Sequence, residues 1–485
     1  MDTKNNLNST QTNIPKTNMK KTLSLWNFFT IGFGAIIGTG WVLLVGDWMI
    51  IGGGPIAAMI AFIIGSILLL PIGAVFGELT SAIPISGGIV EYVDRTFGSK
   101  ISYITGWFLS LGNGILCPWE AIAISTLVSE MFGEFFPFLR SVKLYTILGA
   151  DVYLFPTLIS LCFAVYVIIL NFKGASSAAK LQGFLTKALL AGMILAIGIS
   201  IFKGSPSHLN PIFRQVDATT SSTSATSLFS GILSVLVMTP FFYAGFDTIP
   251  QQAEEAAEGL NWNKFGKVIS MALLASGVFY MVCIYSFGTI IPWNDFIKHT
   301  VPALSCLKDI NVILYIIMLC IATLGPMGPM NSFYGATSRI MLAMGRKNQL
   351  PKSFAKVDAK SGTPVTPNII LAILTLIGPF LGKNMLVPLT NVSALAFIFS
   401  CTMVSFACLR MRRTEPDLQR PYKVPGGKLG ISAACLAGSI IIGLMIIPAS
   451  PAALKPQELI IVLGWLAIGL ILMTLTNISK KNKNV

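Results

Sequence analysis

A chain of 485 residues that is 54% hydrophobic and only 11% charged, with a mean hydropathy of +0.74, is too apolar for a water-soluble globular protein. Its net charge of +14 would point to nucleic acid in a soluble chain. With lipid as the solvent, the placement of the basic residues decides what that charge means.

The first 22 residues are rich in Asn, Thr and Lys, have no apolar core, and read as a disordered cytoplasmic tail and not a signal peptide. A spanning helix needs about 20 mainly apolar residues. Five such stretches are expected within 23–202, at roughly 24–46, 54–79, 101–127, 154–172 and 179–202. An extracellular loop over 203–227 follows. Five more are expected within 228–410, at roughly 228–253, 266–291, 311–344, 367–382 and 385–409. A cytoplasmic loop over 411–428 leads to two last spans within 429–476, at roughly 429–449 and 458–476, and a cytoplasmic tail over 477–485. The expected class is therefore an all-α integral membrane protein of about 12 transmembrane helices, since runs this long are not barrel strands.

With the amino terminus inside, 26 of the 34 lysines and arginines fall on cytoplasmic segments and the outer loops hold the rest. That asymmetry orients a multi-pass protein with both termini in the cytoplasm, places it in the cell membrane, and removes nucleic acid as a partner. The densest clusters are Arg346, Lys347, Lys352 and Lys356, then Arg410, Arg412, Arg413, Arg420 and Lys423. Topology alone accounts for them; binding of anionic lipid headgroups is the functional alternative.

All eight cysteines lie in or beside apolar spans without a CxxC pair, so free thiols are expected. The two histidines, His208 and His299, fall in outer loops, which leaves no histidine cluster for a metal and no intramembrane histidine relay. No phosphate-binding Gly-x-x-x-x-Gly-Lys-Ser/Thr loop exists, and no nucleophile–base pair stands in a span. No cofactor and no enzymatic activity are expected. A channel would call for rings of repeated polar residues, which are absent; a non-transporting membrane sensor on the same fold stays open.

Two helix breaks attract the function. The first span runs Gly32-Phe33-Gly34-Ala35-Ile36-Ile37-Gly38-Thr39-Gly40, and the sixth contains Pro240-Phe241-Phe242-Tyr243-Ala244-Gly245-Phe246-Asp247, then Pro250. They correspond if spans one to five and six to ten are structural repeats, the pattern that marks a transporter's midplane site. A half-helix starting at Thr39 would aim free N–H groups at a carboxylate. Carbonyls near Ile36 and Ile37, facing those of Tyr243 and Ala244, would accept hydrogen bonds from an ammonium group. Together the two ends describe an amino acid. The bland alternative for Gly38-Thr39-Gly40 is a small-residue packing surface.

Further motifs agree in order. Glu78-Leu79 precedes Ile83-Pro84-Ile85-Ser86-Gly87-Gly88-Ile89-Val90-Glu91-Tyr92, and Phe246-Asp247 is followed by Ala253-Glu254-Glu255. Later come Ser338-Arg339, Met344-Gly345-Arg346, Leu350-Pro351 and Thr363-Pro364, then Leu409-Arg410 through Pro416, Arg420-Pro421 and Lys423-Val424-Pro425. From about Ser24 onward the chain thereby resembles the amino acid–polyamine–organocation transporter superfamily. The resemblance implies an amino acid permease with a five-plus-five inverted repeat of LeuT-like type, broken helices one and six, two extra carboxy-terminal helices, and alternating access. It also implies substrate between helices one, three, six and eight. Gly38-Thr39-Gly40 would then meet the substrate carboxylate, Asn113 would offer a polar contact from helix three, and Phe241 would be an aromatic gate, unless it is an ordinary lipid- or core-facing aromatic.

Ionisable residues within spans default to functional readings. Asp247 would carry a proton or offset a substrate's positive charge, or else cap the second half-helix. Glu120, after Pro118 and Trp119, is a proton carrier or a side chain reaching the outer vestibule. Lys187 is the weakest coupling candidate: superfamily relatives with a helix-five lysine carry it seven residues after a glutamine, and Gln182 plus seven is Leu189, about 200° of helix rotation from Lys187. Snorkelling to headgroups is its alternative. The expected substrate is a neutral or cationic amino acid, with polyamines behind because they lack a carboxylate. Secondary active transport is expected, with a proton as coupling ion by symport or exchange; sodium held by carbonyls and hydroxyls stays open, as does the oligomeric state.

Overall fold

The computed structural model describes residues 24–85, 87–173, 187–188, 190–198, 201–215, 225–251, 253 and 256–481. The expected amino-terminal tail, Ser86, Gln182, Leu189, Glu254 and Glu255 lie outside the described residues. The structure is 77% helical, with no closed sheet among the described residues, an all-α membrane protein in which every backbone group at membrane depth needs an internal partner.

Local sequence sets the helix ends. Helix α1 (Leu25–Ile36) opens on a capping box in which the Ser24 hydroxyl accepts from Asn27 N–H and the Asn27 side chain accepts from Ser24 N–H. It stops at Ile37, whose backbone is extended, and after Gly38 and Thr39 the chain restarts as α2 (Gly40–Gly52), bent by 52°. The first expected span is thus a broken pair. Next come α3 (Pro55–Ala82), the short α4 (Gly88–Phe97), α5 (Ser99–Leu127) and α6 (Leu154–Lys173). Between α4 and α5, Gly98 takes a φ of 80° that turns the chain; the Gly-Gly motif therefore opens a separate amphipathic helix ahead of the third span.

The sixth expected span is fragmented into α7 (Leu228–Leu236), α8 (Thr239–Tyr243) and α9 (Thr248–Gln251), with Ala244–Asp247 non-helical. Then follow α10 (Phe265–Ile290), α11 (Val312–Leu324), α12 (Met327–Arg346), α13 (Val365–Ile377), α14 (Leu386–Thr414), α15 (Lys428–Ile446) and α16 (Pro456–Lys481). The stretch expected as one helix at 311–344 is interrupted at Gly325-Pro326, where proline lacks the N–H a continuous helix needs. The last helix also runs into the segment expected as tail. Among the described residues eight helices have the length and apolar composition to cross a membrane, or nine counting α1 with α2; the apolar helices Leu190–Lys203 and Val365–Phe380 are shorter.

One strand pair lay beyond the sequence reading: β1 (Lys143–Ile147) pairs antiparallel with β2 (Ala150–Tyr153) between α5 and α6. Alternation is too short there to register against its apolar surroundings.

The core centres on α5, which packs against α12, α13 and α14, while α3 lies along α10 and α7. At the periphery, α16 is the least buried of the long helices. It is fastened by Trp465, whose ring stacks on Trp107 at 4.3 Å between centroids. Each indole N–H of that pair donates to the other residue's carbonyl, at 2.8 and 2.9 Å.

The end of the bundle that carries the basic clusters is closed by ion pairs. Lys347 contacts Glu91 and Asp94 of α4 at 2.6 Å each, and Arg95 contacts Glu415 at 2.8 Å. Arg412 of α14 grips the buried Glu78 of α3 through Nε at 2.7 Å and Nη2 at 2.5 Å.

Candidate functional site

The two interruptions meet. Gly245 has a φ of 126°, and a Cβ there would stand 2.7 Å from the backbone carbon of Ala35 and the backbone nitrogen of Ile36. Only glycine lets the second break rest on the first at that distance and that φ. Gly40 similarly admits the Phe242 ring, 2.8 Å from where its Cβ would be.

Around this junction lies a narrow cavity lined by Ala35, Ile36, Gly38 and Gly40 from the first break, Phe241, Phe242 and Ala244 from the second, and Leu116, Trp119, Glu120, Tyr280 and Pro329. Its volume of about 20 Å³ holds a water, not an amino acid. A larger guest requires the aromatic wall to move. In that wall Phe241 lies 5.3 Å from Trp119 and 5.0 Å from Phe242, centroid to centroid. Trp119 is in turn held by its indole N–H donating to the Leu386 carbonyl and the Thr390 hydroxyl at 3.1 and 3.0 Å.

At the start of α2 the backbone N–H groups of Thr39, Gly40 and Trp41 have no hydrogen-bond partner among the described residues, the orphan donors every helix start presents. A carboxylate already stands beside them: Glu120, 2% exposed, accepts from the Thr39 hydroxyl at 3.1 Å, and its other oxygen is 3.3 Å from where a Gly38 Cβ would be. Glu120 is therefore buried in this structure. No basic side chain pairs with it among the described residues.

Asp247 is buried behind the second break, outside the cavity lining. Its carboxylate accepts from Asn113 Nδ2 at 3.0 Å, Gln251 Nε2 at 3.1 Å and Gly245 N–H at 3.0 Å. It ties α5 to the break and holds the Gly245 turn. Asn113 reaches the neighbourhood through this bond. Tyr243 turns away, donating to the Phe62 carbonyl at 2.8 Å, and Phe246 packs on Phe76 and Phe397; neither lines the cavity. Ile37 is buried at the break. Lys187 is exposed and does not line the cavity.

Tyr280 escaped the sequence reading. From α10 its hydroxyl lies 3.2 Å from the carbonyls of both Ile36 and Phe242, which end α1 and run through α8. A tyrosine in an apolar span gives no spacing signal; only the freed carbonyls of two breaks make a donor there necessary. Trp119 and Pro329 were equally silent, although the doubled proline of Gly325-Pro326-Met327-Gly328-Pro329 marks an irregular stretch.

A family model described as amino acid permease matches residues 23–432. Among curated proteins the chain is 25% identical over 423 residues to a branched-chain amino acid permease of Bacillus subtilis (strain 168), covering 84% of each chain. It is 28% identical over 425 residues to an aspartate-proton symporter of the same organism, covering 84% of this chain and 76% of the relative. It is 25% identical over 418 residues to cationic amino acid transporter 5 of Arabidopsis thaliana, covering 81% and 66%.

Proposed function

Because this chain belongs to the amino acid permease family of the amino acid–polyamine–organocation superfamily, we propose that it is a secondary active transporter of a neutral or cationic amino acid, coupled to protons by symport or exchange and working by alternating access. The proposal includes twelve spans, with helices one to five and six to ten as inverted repeats, both termini in the cytoplasm, and residence in the cell membrane. The observation that carries it is the contact between the two breaks at Gly245 and Ala35–Ile36, with a cavity at the junction.

In this reading the free amides of Thr39, Gly40 and Trp41 receive the substrate carboxylate, and the carbonyls at Ile36, Ile37, Tyr243 and Ala244 receive its ammonium. Phe241 closes over it against Trp119. Tyr280 occupies the carbonyls of Ile36 and Phe242 until the ammonium replaces its hydroxyl. Proton coupling follows from crowding of like charges: an ionised Glu120 beside Gly38 and Thr39 repels a second carboxylate, so substrate binds when Glu120 is protonated. Substrate and proton then enter together. Asp247 and Asn113 hold the second break in the shape this requires, and Asp247 is the second candidate for a proton. Lys187 has no part in the scheme.

Polyamine or other organic amine transport is the second reading, favoured by two buried carboxylates, Glu120 and Asp247, that have no cationic partner among the described residues. Melting of the purified protein in detergent against the twenty amino acids, putrescine and spermidine separates the two, because a ligand at 100 times its Kd stabilises the folded state by about 2.7 kcal/mol. Stabilisation by a group of amino acids is the expected result. A response to polyamines alone would overturn the carboxylate site, and no response would favour a sensor that shares the fold.

A further inference from the structure

The ion pair at the end of α3 carries more positive than negative charge. Glu78 is fully buried, and its two oxygens receive Arg412 Nε and Nη2, Arg420 Nε at 3.3 Å, and the Val424 N–H at 2.8 Å. Two guanidiniums, with side chains only 18% and 5% exposed, face one carboxylate. Arg420 also donates to the carbonyls of Met411, Glu415 and Leu418, so the end of α14 offsets about half a charge. The remainder has no carboxylate partner among the described residues.

That excess opens onto a recess of about 440 Å³ lined by Arg412, Arg420, Lys423, Gln419 and neighbouring loop residues. No carboxylate lines it. Glu415 is engaged with Arg95, and the exposed Asp417 lies outside the lining. Lys423 is exposed and pairs with no carboxylate among the described residues. We propose that this recess binds a phosphate oxyanion, supplied either as free phosphate or by the headgroup of an anionic lipid. Arg412, held in place by Glu78, presents a fixed donor at the recess; Arg420, most of whose N–H groups are taken by Glu78 and carbonyls, adds charge behind it, and Lys423 adds a mobile charge at the rim. A bound phosphate would complete the charge balance and tighten the joint between α3, α14 and the loop over 415–427. The site is separate from the cavity between the breaks and stands whatever the transported substrate proves to be.

The test uses the full chain in neutral detergent. Its melting is followed as inorganic phosphate replaces chloride at constant ionic strength, and retention of phosphatidylglycerol against phosphatidylcholine is read by native mass spectrometry. A rise in melting temperature with phosphate identifies the free anion as ligand; selective retention of phosphatidylglycerol without that rise identifies the headgroup. In either case Lys423→Gln, which leaves the triad intact, should weaken the effect about fivefold, the equivalent of about 1 kcal/mol for one basic group beside an anionic surface. Glu78→Gln should strengthen it, since the added anion then replaces the missing carboxylate. If that variant does not fold, Lys423→Gln decides alone. The absence of both responses, or a response that Lys423→Gln leaves unchanged, overturns the site.

Discussion

Acids at the middle of the bundle and at its basic end are treated in opposite ways. At the basic end every carboxylate of the closure has a cation: Glu78 has Arg412 and Arg420, Glu91 and Asp94 share Lys347, and Glu415 has Arg95. Near the breaks, the donors to Glu120 and Asp247 among the described residues are neutral, a threonine hydroxyl in one case and two amides with a backbone N–H in the other. A paired acid fastens two helices and gains nothing by taking up a proton. An acid with neutral partners is left with the option of a proton or a visiting cation. The same side-chain chemistry thus serves as a clasp in one region and as a receptor in the other.

The comparison breaks most visibly at the first break. Thr39→Trp fills the place of the proposed substrate carboxylate and should reduce uptake to background while membrane insertion continues; normal uptake by an inserted mutant would remove the site from this junction. Gly245→Val should come next. It forces a Cβ against the Ala35–Ile36 backbone from a φ that disfavours side chains, a combination of overpacking and strain that costs about 2–4 kcal/mol. Uptake and melting temperature should fall together, and a variant that melted like the wild type would mean the breaks do not bear on each other. Glu120→Gln should preserve uptake within several-fold but flatten its dependence on pH, because the carboxamide keeps the Thr39 bond without titrating; an unchanged pH profile would move the coupling role to Asp247.

The smallest effect belongs to the clasp. The Lys347 amine is pulled down by burial, but hydrogen bonds to Asp94 and Glu91 outweigh that and leave it above its ordinary value of 10.5. Its contribution is therefore complete below the ordinary lysine range and is lost only as pH climbs through the raised value. Lys347→Gln should lower stability by about 1 kcal/mol or less and leave the neutral pH profile of uptake untouched. A neutral-pH effect as large as that of Glu120→Gln would erase the distinction between the two regions.

Much of this arrangement is legible in the sequence, for reasons particular to each residue. Gly38-Thr39-Gly40 and the Pro240-to-Asp247 run announce their breaks because glycine and proline act on the local backbone. Glu120 and Asp247 stand out because charge is rare in a span. What the sequence conceals depends on partners far along the chain. Nothing near Tyr280 hints that its hydroxyl serves carbonyls 244 and 38 residues away. The Glu78–Arg412 joint links positions 334 residues apart, and either member read alone looks like a helix end or a topological charge. The hairpin at β1 and β2 is hidden because four or five residues carry too little pattern.

The reciprocal fastening of Trp107 and Trp465 gives the least buried helix an optical label of its own. Two indoles stacked 4.3 Å apart couple their electronic transitions, so the circular dichroism of the protein carries a contribution from this pair that is lost when the last helix undocks. That signal distinguishes detachment of α16 from collapse of the bundle during heating or detergent exchange, with no dye or introduced probe.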